Sequence, residues 1–520
     1  MAAALNSDSD VDDDDSQLSD SLCLQQVLET DSLEVQKPQL SNLIIEDLET
    51  LSSSYESQST EQSCLSVFRG KWGGSHLQSC ETSISAHDDS AGYQECSRAP
   101  HVTANSARGH CYISCLPNEV LLYIFSFLSV RELCVSVAPV CTSWRALARD
   151  PTLWTHLVFT SKHRLEKEQM VRLLRASPLL RSLELERSED DGDLLLQAAA
   201  LCTKLRRIIV KFGDGLTETV FKALTEKCPN VRYLNVEGSE ICSAECYNQI
   251  ACFRQLQYLN LSHCKFLENS GLITIARQCN QLEYLDIDGI TGITDSSVLV
   301  LTTRLSHSLK SLLLDGEHLT DASYRSLGEC MQLHKLGVSF CDNMTDVGLT
   351  GIYGLKQLTW LKLRKGTQLT PSGLRALFQS EGLRQLTYVN LGECCHMDDS
   401  VLSALASSSP NLQHLVLHWC WDVTDTGITA LVTGCPRLRV LDLVGVVQLV
   451  GTAFINITTI LPDLLILDLE QCNNIDDTIL HCIAAEKPSL KLFDYWGDLV
   501  VFSDSDQITS CDQDNKWFDV

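Results

Sequence analysis

The feature that most constrains the fold is a unit of about 26 residues that recurs from about residue 175 to residue 495. Each unit contains the pattern L-x-x-L-x-L or a close apolar variant of it. The first apolar position of the pattern falls at Leu180, Leu205, Val231, Leu256, Leu282, Leu309, Leu333, Leu358, Leu386, Leu412, Leu438, Leu464 and Leu490. Consecutive positions are 24 to 28 residues apart, and a period of this size is typical of solenoids. The sequence therefore predicts an array of about thirteen repeats over residues 175–495.

Within one repeat the apolar residues change from strand spacing to helix spacing. In the repeat that begins at Gln281, Leu285 and Ile287 alternate with polar residues, which is the period of a β-strand. Val298 and Leu301 then follow at helical spacing. Because no repeat can bury its own apolar face, neighbours stack with parallel strands on a concave side and helices outside. The predicted fold class is an α/β solenoid, a leucine-rich-repeat horseshoe.

Several repeats place a cysteine three residues after the last apolar position of the strand. These cysteines are Cys264, Cys341, Cys394, Cys420 and Cys472. Together with the T-D-x-G-L/I step at residues 345–349 and 424–428, they resemble the cysteine-containing leucine-rich repeats of F-box proteins. Free cysteine behaves as a compact apolar residue, and the chain has no C-x-x-C pair. We therefore expect buried free thiols, no metal site and no cofactor.

A dense helical pattern precedes the repeats, over residues 114–160. Pro117 suits the first turn of a helix, and apolar residues follow it at steps of three and four. Ser129 and Glu132 form an S-x-x-E capping box ahead of a second helix, and Pro139 separates that helix from a third. The sequence predicts a small three-helix unit.

The motifs of this unit resemble the F-box in their order and spacing. They are Leu116-Pro117, Ile124-Phe125-x-x-Leu128 and Val140-Cys141-x-x-Trp144. The resemblance implies docking onto a Skp adaptor, and through it onto cullin and RING subunits. The residues that it places at the adaptor interface, or directly beneath it, are Leu116, Pro117, Ile124, Phe125, Leu128, Val140, Cys141 and Trp144.

Strand alternation identifies which side chains of the repeats face the concave surface. Aromatic and basic residues are frequent there, and such residues dominate protein interfaces. The candidate substrate-binding residues are Tyr258, Tyr284, Lys335, Trp360, Lys362, Arg364, Tyr388, Trp419, Trp421 and Trp496. The alternative is that the concave aromatics only pack against one another. His414 and His418 are interpreted as surface polar residues rather than metal ligands.

Charge is concentrated near the start of the chain. Residues 1–110 hold 19 acidic and 5 basic residues, about half of the net charge of −27. We expect this acidic, serine-rich region to be disordered, and residues 496–520 to form a C-terminal cap or tail. The acidic balance argues against nucleic-acid or anionic-membrane partners, and no apolar run is long enough for a membrane span. The expected location is cytoplasmic and/or nuclear.

The resemblance to F-box proteins implies the substrate-recognition subunit of an SCF-type ubiquitin ligase, a non-catalytic receptor. We expect its concave face to bind a protein substrate with acidic or phosphorylated segments. No catalytic residues are assigned, because the chain has no nucleotide-binding loop, zinc-protease motif or nucleophile elbow. The alternatives are a non-degradative leucine-rich-repeat scaffold and a ligand-binding horseshoe.

Overall fold

A computed structural model describes residue 113 and residues 116–160, 166–186 and 191–501. The chain forms two compact parts, which divide between residues 148 and 149. The helical part and the repeat part are described separately. The predicted disordered region over residues 1–110 and the end of the predicted tail, from residue 502 onwards, lie outside the described residues.

The helical part contains three helical segments. Helix α1 spans Asn118–Phe125, helix α2 spans Val130–Glu132 and continues as a π-helical turn over Leu133–Val137, and helix α3 spans Thr142–Ala148. The predicted capping box is present, because the Glu132 amide donates to Ser129 Oγ at 3.2 Å and the Ser129 amide donates to the Glu132 carboxylate at 2.9 Å. Both bonds satisfy amides that the start of a helix leaves without partners.

The repeat part is a regular succession of strands and helices. The strands are β1 His156–Thr160, β2 Ser182–Glu186, β3 Arg207–Lys211, β4 Tyr233–Asn235, β5 Tyr258–Asn260, β6 Tyr284–Ile287, β7 Ser311–Asp315, β8 Lys335–Ser339, β9 Trp360–Leu363, β10 Tyr388–Asn390, β11 His414–Val416, β12 Val440–Asp442, β13 Ile466–Asp468 and β14 Lys491–Phe493. The helices are α4 Lys167–Ala176, α5 Asp191–Leu201, α6 Glu218–Lys227, α7 Glu245–Ile250, α8 Asn269–Gln278, α9 Asp295–Leu305, α10 Asp321–Leu327, α11 Asp346–Leu349, α12 Pro371–Gln379, α13 Asp399–Ser408, α14 Asp425–Gly434, α15 Ile457–Ile460 and α16 Asp477–Glu486.

All fourteen strands form one parallel sheet in sequence order, from β1 to β14. Thirteen of them, β2 to β14, match the thirteen counted repeats. Strand β1 precedes these repeats and pairs with β2 from His156 opposite Ser182 onwards. The pattern leucines lie in the core between sheet and helices, and the predicted α/β solenoid is confirmed.

Aspartates at the starts of several repeat helices, one of them in a T-D-x-G step, bond to the threonine that precedes the helix of the next repeat. The carboxylate of Asp399 accepts hydrogen bonds from the Thr424 amide at 2.8 Å and the Thr424 hydroxyl at 2.7 Å. The same pair of hydrogen bonds joins Asp295 to Thr320, Asp321 to Thr345 and Asp346 to Thr370. A β-carbon on Gly427 would overlap the Asp399 carboxylate, which explains the glycine of the step. The motif therefore encodes the contact between successive repeats.

The turn cysteines are free, buried thiols, as predicted. Three of them donate to a carbonyl oxygen of the preceding repeat: Cys264 to Val236, Cys394 to Leu363 and Cys472 to Leu443, at 3.0 to 3.2 Å. Burial raises the pKa of each of these three thiols to about 12. They remain protonated at neutral pH, a state that disfavours metal binding and nucleophilic attack.

Candidate protein-binding surfaces

The open face of the sheet is formed by strand side chains that alternate away from the leucine core. At the first position of each strand, neighbouring repeats are in register, so Tyr233 lies opposite Tyr258 and Tyr258 opposite Tyr284. The ring centroids of these two pairs are 3.8 and 4.0 Å apart, and both pairs are stacked. The guanidinium of Arg207 lies 3.7 Å from the Tyr233 centroid. We call these four residues the tyrosine row.

A second set of stacked side chains, the tryptophan row, follows on β8 to β11. Lys335 Nζ lies 4.3 Å from the centroid of Trp360, whose ring stacks on Tyr388 at 4.5 Å. The His414 ring lies 6.1 Å further on. The alternative raised from the sequence is confirmed in this respect, because the aromatics of each row do pack against one another. The two rows do not join, since β7 carries Ser311 between them.

The basic residues of the open face are largely neutralised by neighbouring carboxylates. Lys362 Nζ lies 3.3 Å from Asp288 Oδ2, and Arg364 Nε lies 2.6 Å from Glu393 Oε1. Burial lowers the pKa of Lys335, although Asp286 opposes that effect. Lys335, Lys362 and Arg364 therefore offer less positive charge to an acidic partner than the sequence suggested.

The three C-terminal tryptophans of the candidate list lie beyond the strand ends. Trp419 follows β11 with φ of 55°, and a β-carbon on Gly445 of the next repeat would lie 2.5 Å from its indole ring. Trp421 is exposed in the same turn. Trp496 follows β14, is 78% exposed and contacts Tyr495 edge-on at 4.7 Å. The structure does not bring these tryptophans together with the tryptophan row.

Acidic residues face outward from the last repeats. Asp442 pairs in register with Asp468, and His418 Nε2 lies 2.7 Å from Asp442 Oδ2. Burial, with the Asp442 carboxylate as the next cause, raises the pKa of Asp468 to about 7, although the hydrogen bond from the Glu470 amide opposes the shift. His414 and His418 are both buried, so the prediction of surface histidines is wrong. The Tyr388 ring lies beside His414, and the Asp442 carboxylate lies against His418.

Asp468 should make stability depend on pH. An unfolded aspartate has a pKa of about 3.9, so between that value and the folded pKa of about 7 the folded protein binds more protons than the unfolded chain. The free energy of unfolding contributed by this group therefore falls as pH rises through this window. We expect Asp468→Asn to be more stable than wild type near pH 8 and to differ little at a pH of about 4, as measured by urea unfolding.

The substitution keeps an acceptor for the Glu470 amide, which donates to Asp468 Oδ1 at 3.1 Å. The matched control is Asp463→Asn, on an exposed residue of the same repeat, which should leave the pH profile unchanged. Lower stability of Asp468→Asn near pH 8 would contradict the assignment.

The candidate adaptor residues divide into a core pair and a surface set. Phe125 and Trp144 are buried and meet edge-on with centroids 5.1 Å apart, so they support the helical part from within rather than offering rings to a partner. The half-buried members are Leu116, Ile124, Leu128 and Val140, and the exposed members are Pro117 and Cys141.

Two exposed aromatic residues of α1 and the turn after it were missed by the sequence reasoning. Tyr123 is 67% exposed and Phe127 is 68% exposed, and their rings meet edge-on at 5.0 Å. Val120 and Val135 are exposed as well. Apolar side chains this exposed are typical of a partner site. The available signal was their four-residue spacing beside the main apolar stripe.

Comparison with known families places both parts of the chain. A family model described as F-box-like matches residues 113–160, and a leucine-rich-repeat model matches residues 254–276 and 408–432. The chain thus combines an F-box-like segment with leucine-rich repeats. The family prediction made from the motifs is thereby confirmed.

Curated F-box/LRR-repeat proteins are 21 to 25% identical to the chain within the aligned segments. F-box/LRR-repeat protein 5 of Bos taurus is 21% identical over 255 residues, which cover 42% of this chain and 37% of that protein. F-box/LRR-repeat protein 12 of Homo sapiens is 25% identical over 242 residues, 44% of this chain and 65% of that protein. The chain thus spans less than two thirds of these relatives.

A solved structure with the same fold is the yeast complex of Rad7 and Elc1. The match has a TM-score of 0.52 at 18% identity and covers 72% of this chain and 92% of that chain. In the described ranges of this chain, no three His, Cys, Asp or Glu side chains are placed to hold a metal ion. None of the helices described is both long and apolar enough to cross a bilayer.

Proposed function

We propose that the chain is the substrate-recognition subunit of an SCF-type E3 ubiquitin ligase. The F-box-like segment docks a Skp-class adaptor and through it cullin and RING subunits, and the open face of the repeats binds a protein substrate. The chain is a receptor, and ubiquitin transfer belongs to the other subunits. The cytoplasm and/or the nucleus is its proposed location.

The observation that carries this proposal is the exposed Tyr123–Phe127 pair within the segment that matches the F-box-like model. Covering a large apolar side chain contributes about 1.5 to 3 kcal/mol, so two such rings are a substantial part of a binding site. The yeast structure with the same fold is a complex of two proteins, Rad7 and Elc1, which supports the proposal that this chain binds an adaptor.

The proposal predicts that Phe127→Ala weakens adaptor capture without unfolding the protein. Removing an anchoring ring from an interface centre costs about 2 kcal/mol, or roughly thirtyfold in affinity. Adaptor affinity is measured with the purified full chain by calorimetry, together with its melting temperature. The matched control is Phe266→Ala, which removes a phenylalanine that is 57% exposed in the repeat part and should leave adaptor affinity unchanged.

Four outcomes test this proposal and its alternatives. Equal adaptor affinity for Phe127→Ala and wild type would remove this face from the interface. Capture of the adaptor without cullin and RING subunits would favour the non-degradative scaffold. Absence of adaptor binding by the folded wild-type chain would favour the ligand-binding horseshoe. Accumulation of a bound protein on proteasome inhibition supports the ligase receptor.

A further inference from the structure

Three arginines lie in a row along the edge of the sheet where the strands begin. Arg181, Arg206 and Arg232 stand directly before the first residues of β2, β3 and β4. The Arg206 amide donates to the Arg181 carbonyl, and the Arg232 amide donates to the Arg206 carbonyl, both at 2.8 Å. The three residues are therefore in register on neighbouring strands, with backbones about 4.8 Å apart. We call them the arginine row.

The side chains of the arginine row are open to solvent and have no counter-charge of their own. All three residues are exposed, and none makes an ion pair with a residue that the structure describes. The segments that lead into β2 to β5, residues 177–182, 202–207, 228–233 and 253–258, contain no aspartate or glutamate. They add three further basic residues, which are Lys204, Arg207 and Arg254. This edge of the sheet is therefore a basic surface on an acidic protein.

Further along the same edge, the corresponding positions carry opposite charges and do pair. Glu283 precedes β6 and Lys310 precedes β7, and Lys310 Nζ lies 2.7 Å from Glu283 Oε2. Neighbours at these positions are thus close enough for direct contact between their charged groups. Like charges opposite each other on adjacent strands are destabilising. The three arginines therefore repel one another in the free protein, and an anion lying across them would remove that repulsion.

The arginine row differs from the basic residues that the sequence placed on the open face. Lys362 and Arg364 are paired with carboxylates, so little of their charge is available to an anionic partner. The arginine row also borders the tyrosine row, since Arg232 directly precedes Tyr233. A segment bound at the arginines would therefore reach the aromatic part of the open face without crossing another strand.

We propose that the arginine row binds an anionic segment of the protein substrate, whose carboxylate or phosphate groups pair with the three guanidiniums. This inference rests on the proposed function and deepens it by naming the chemistry of the partner and the surface that receives it. A guanidinium presents its donors as a planar fork that matches carboxylate and phosphate oxygens. Alternate side chains of an extended segment are about 7 Å apart, so two of them fit within the roughly 10 Å that the row spans. The net charge of −27 disfavours a nucleic acid, which would extend onto acidic surfaces.

The probe for this site is fluorescently labelled hexaglutamate, and its affinity for the full chain is measured by fluorescence anisotropy. We expect wild type to bind it more tightly than labelled hexaglutamine. Binding should weaken as the salt concentration rises through about 0.1 M, where charges are screened over about 10 Å. A peptide of the same length with one phosphoserine among glycines shows whether phosphate or carboxylate is preferred. Tighter binding of either anionic peptide than of hexaglutamine supports the proposal.

The decisive variant is Arg206→Glu, at the centre of the arginine row. It lowers the charge of the row from +3 to +1, so hexaglutamate should bind about tenfold more weakly. The introduced carboxylate can pair with Arg181 and Arg232, as the opposite charges further along this edge do, so the urea midpoint should stay at or above that of wild type. The matched control is Arg277→Glu, which makes the same change of charge at an exposed arginine of α8 and should bind the probe as wild type does.

Equal hexaglutamate affinity in Arg206→Glu and wild type would overturn the proposal, and so would equal wild-type affinity for hexaglutamine. A urea midpoint below that of wild type in Arg206→Glu would show that the arginines support the fold, which also overturns it. Tighter binding of hexathymidylate than of both anionic peptides would assign the row to nucleic acid instead.

Adaptor affinity is determined separately on the same variants, because the peptide measurement needs no adaptor. A chain that binds hexaglutamate but no adaptor would refute the ligase role alone. A chain that binds the adaptor but not the anionic peptides would refute the arginine site alone.

Discussion

Replacing Gly427 with alanine is expected to destabilise the repeat part by about 3 kcal/mol, despite alanine being the better helix former by about 1 kcal/mol. The added β-carbon would overlap the Asp399 carboxylate and lie 2.9 Å from Leu402. Asp399 would then release Thr424, and hydrogen bonds to a charged group contribute about 1.5 to 3 kcal/mol each. The loss therefore exceeds the gain in helix propensity. The free energy of unfolding in urea measures the net effect.

The matched control is Gly354→Ala, because a β-carbon at Gly354 meets no atom within 4 Å. Its expected effect is within about 0.5 kcal/mol of zero. Hydrogen exchange at the Thr424 amide, which donates to Asp399 at 2.8 Å, adds a local readout. Wild-type protection of this amide in Gly427→Ala would show that the carboxylate had not moved and would contradict the explanation of the motif.

Phe125→Ala is expected to destabilise the helical part by about 3 to 5 kcal/mol, the usual range for truncating a buried aromatic residue. Phe125 is 1% exposed and packs on Trp144, and so small a core has little apolar area to replace the lost contact. The measurement is hydrogen exchange of α1 and α3 in the full chain, because it does not require the helical part to fold on its own.

Phe127→Ala serves as the matched comparison, because it removes the same side chain two residues further along. Exchange protection should fall sharply in Phe125→Ala and remain at the wild-type level in Phe127→Ala. Adaptor binding should weaken in both variants, through unfolding of the helical part in the first and through loss of a contact in the second. Similar exchange in the two variants would show that burial does not separate their roles.

The positions of the strands could be predicted because each is specified by its own repeat. Strand β6 begins at Tyr284, two residues after the counted Leu282, and β11 begins at His414, two residues after Leu412. Strand β1 was missed because its sequence, HLVFT, lacks the six-residue pattern, although Leu157 and Phe159 alternate into the core. Strand β1 forms nonetheless, because its five residues pair with β2.

Other features depended on contacts between residues distant in the chain. Lys362 and Asp288 are three strands apart, and no local pattern indicates that they neutralise each other. The same applies to His418, which was interpreted as a surface residue but lies against Asp442 of the next repeat. At the F-box-like segment, the sequence could name apolar residues but could not tell the buried Phe125 from the exposed Phe127.

By itself, the sequence determined the solenoid, its strand positions, its buried thiols and the F-box-like motifs, since burial periodicity and turn residues act within one repeat or one helix. Only the tertiary structure decided which open-face charges remain available, which rings stack and where the rows are interrupted at Ser311. Those properties arise when repeats stack, because side chains about 26 residues apart become neighbours across strands about 4.8 Å apart.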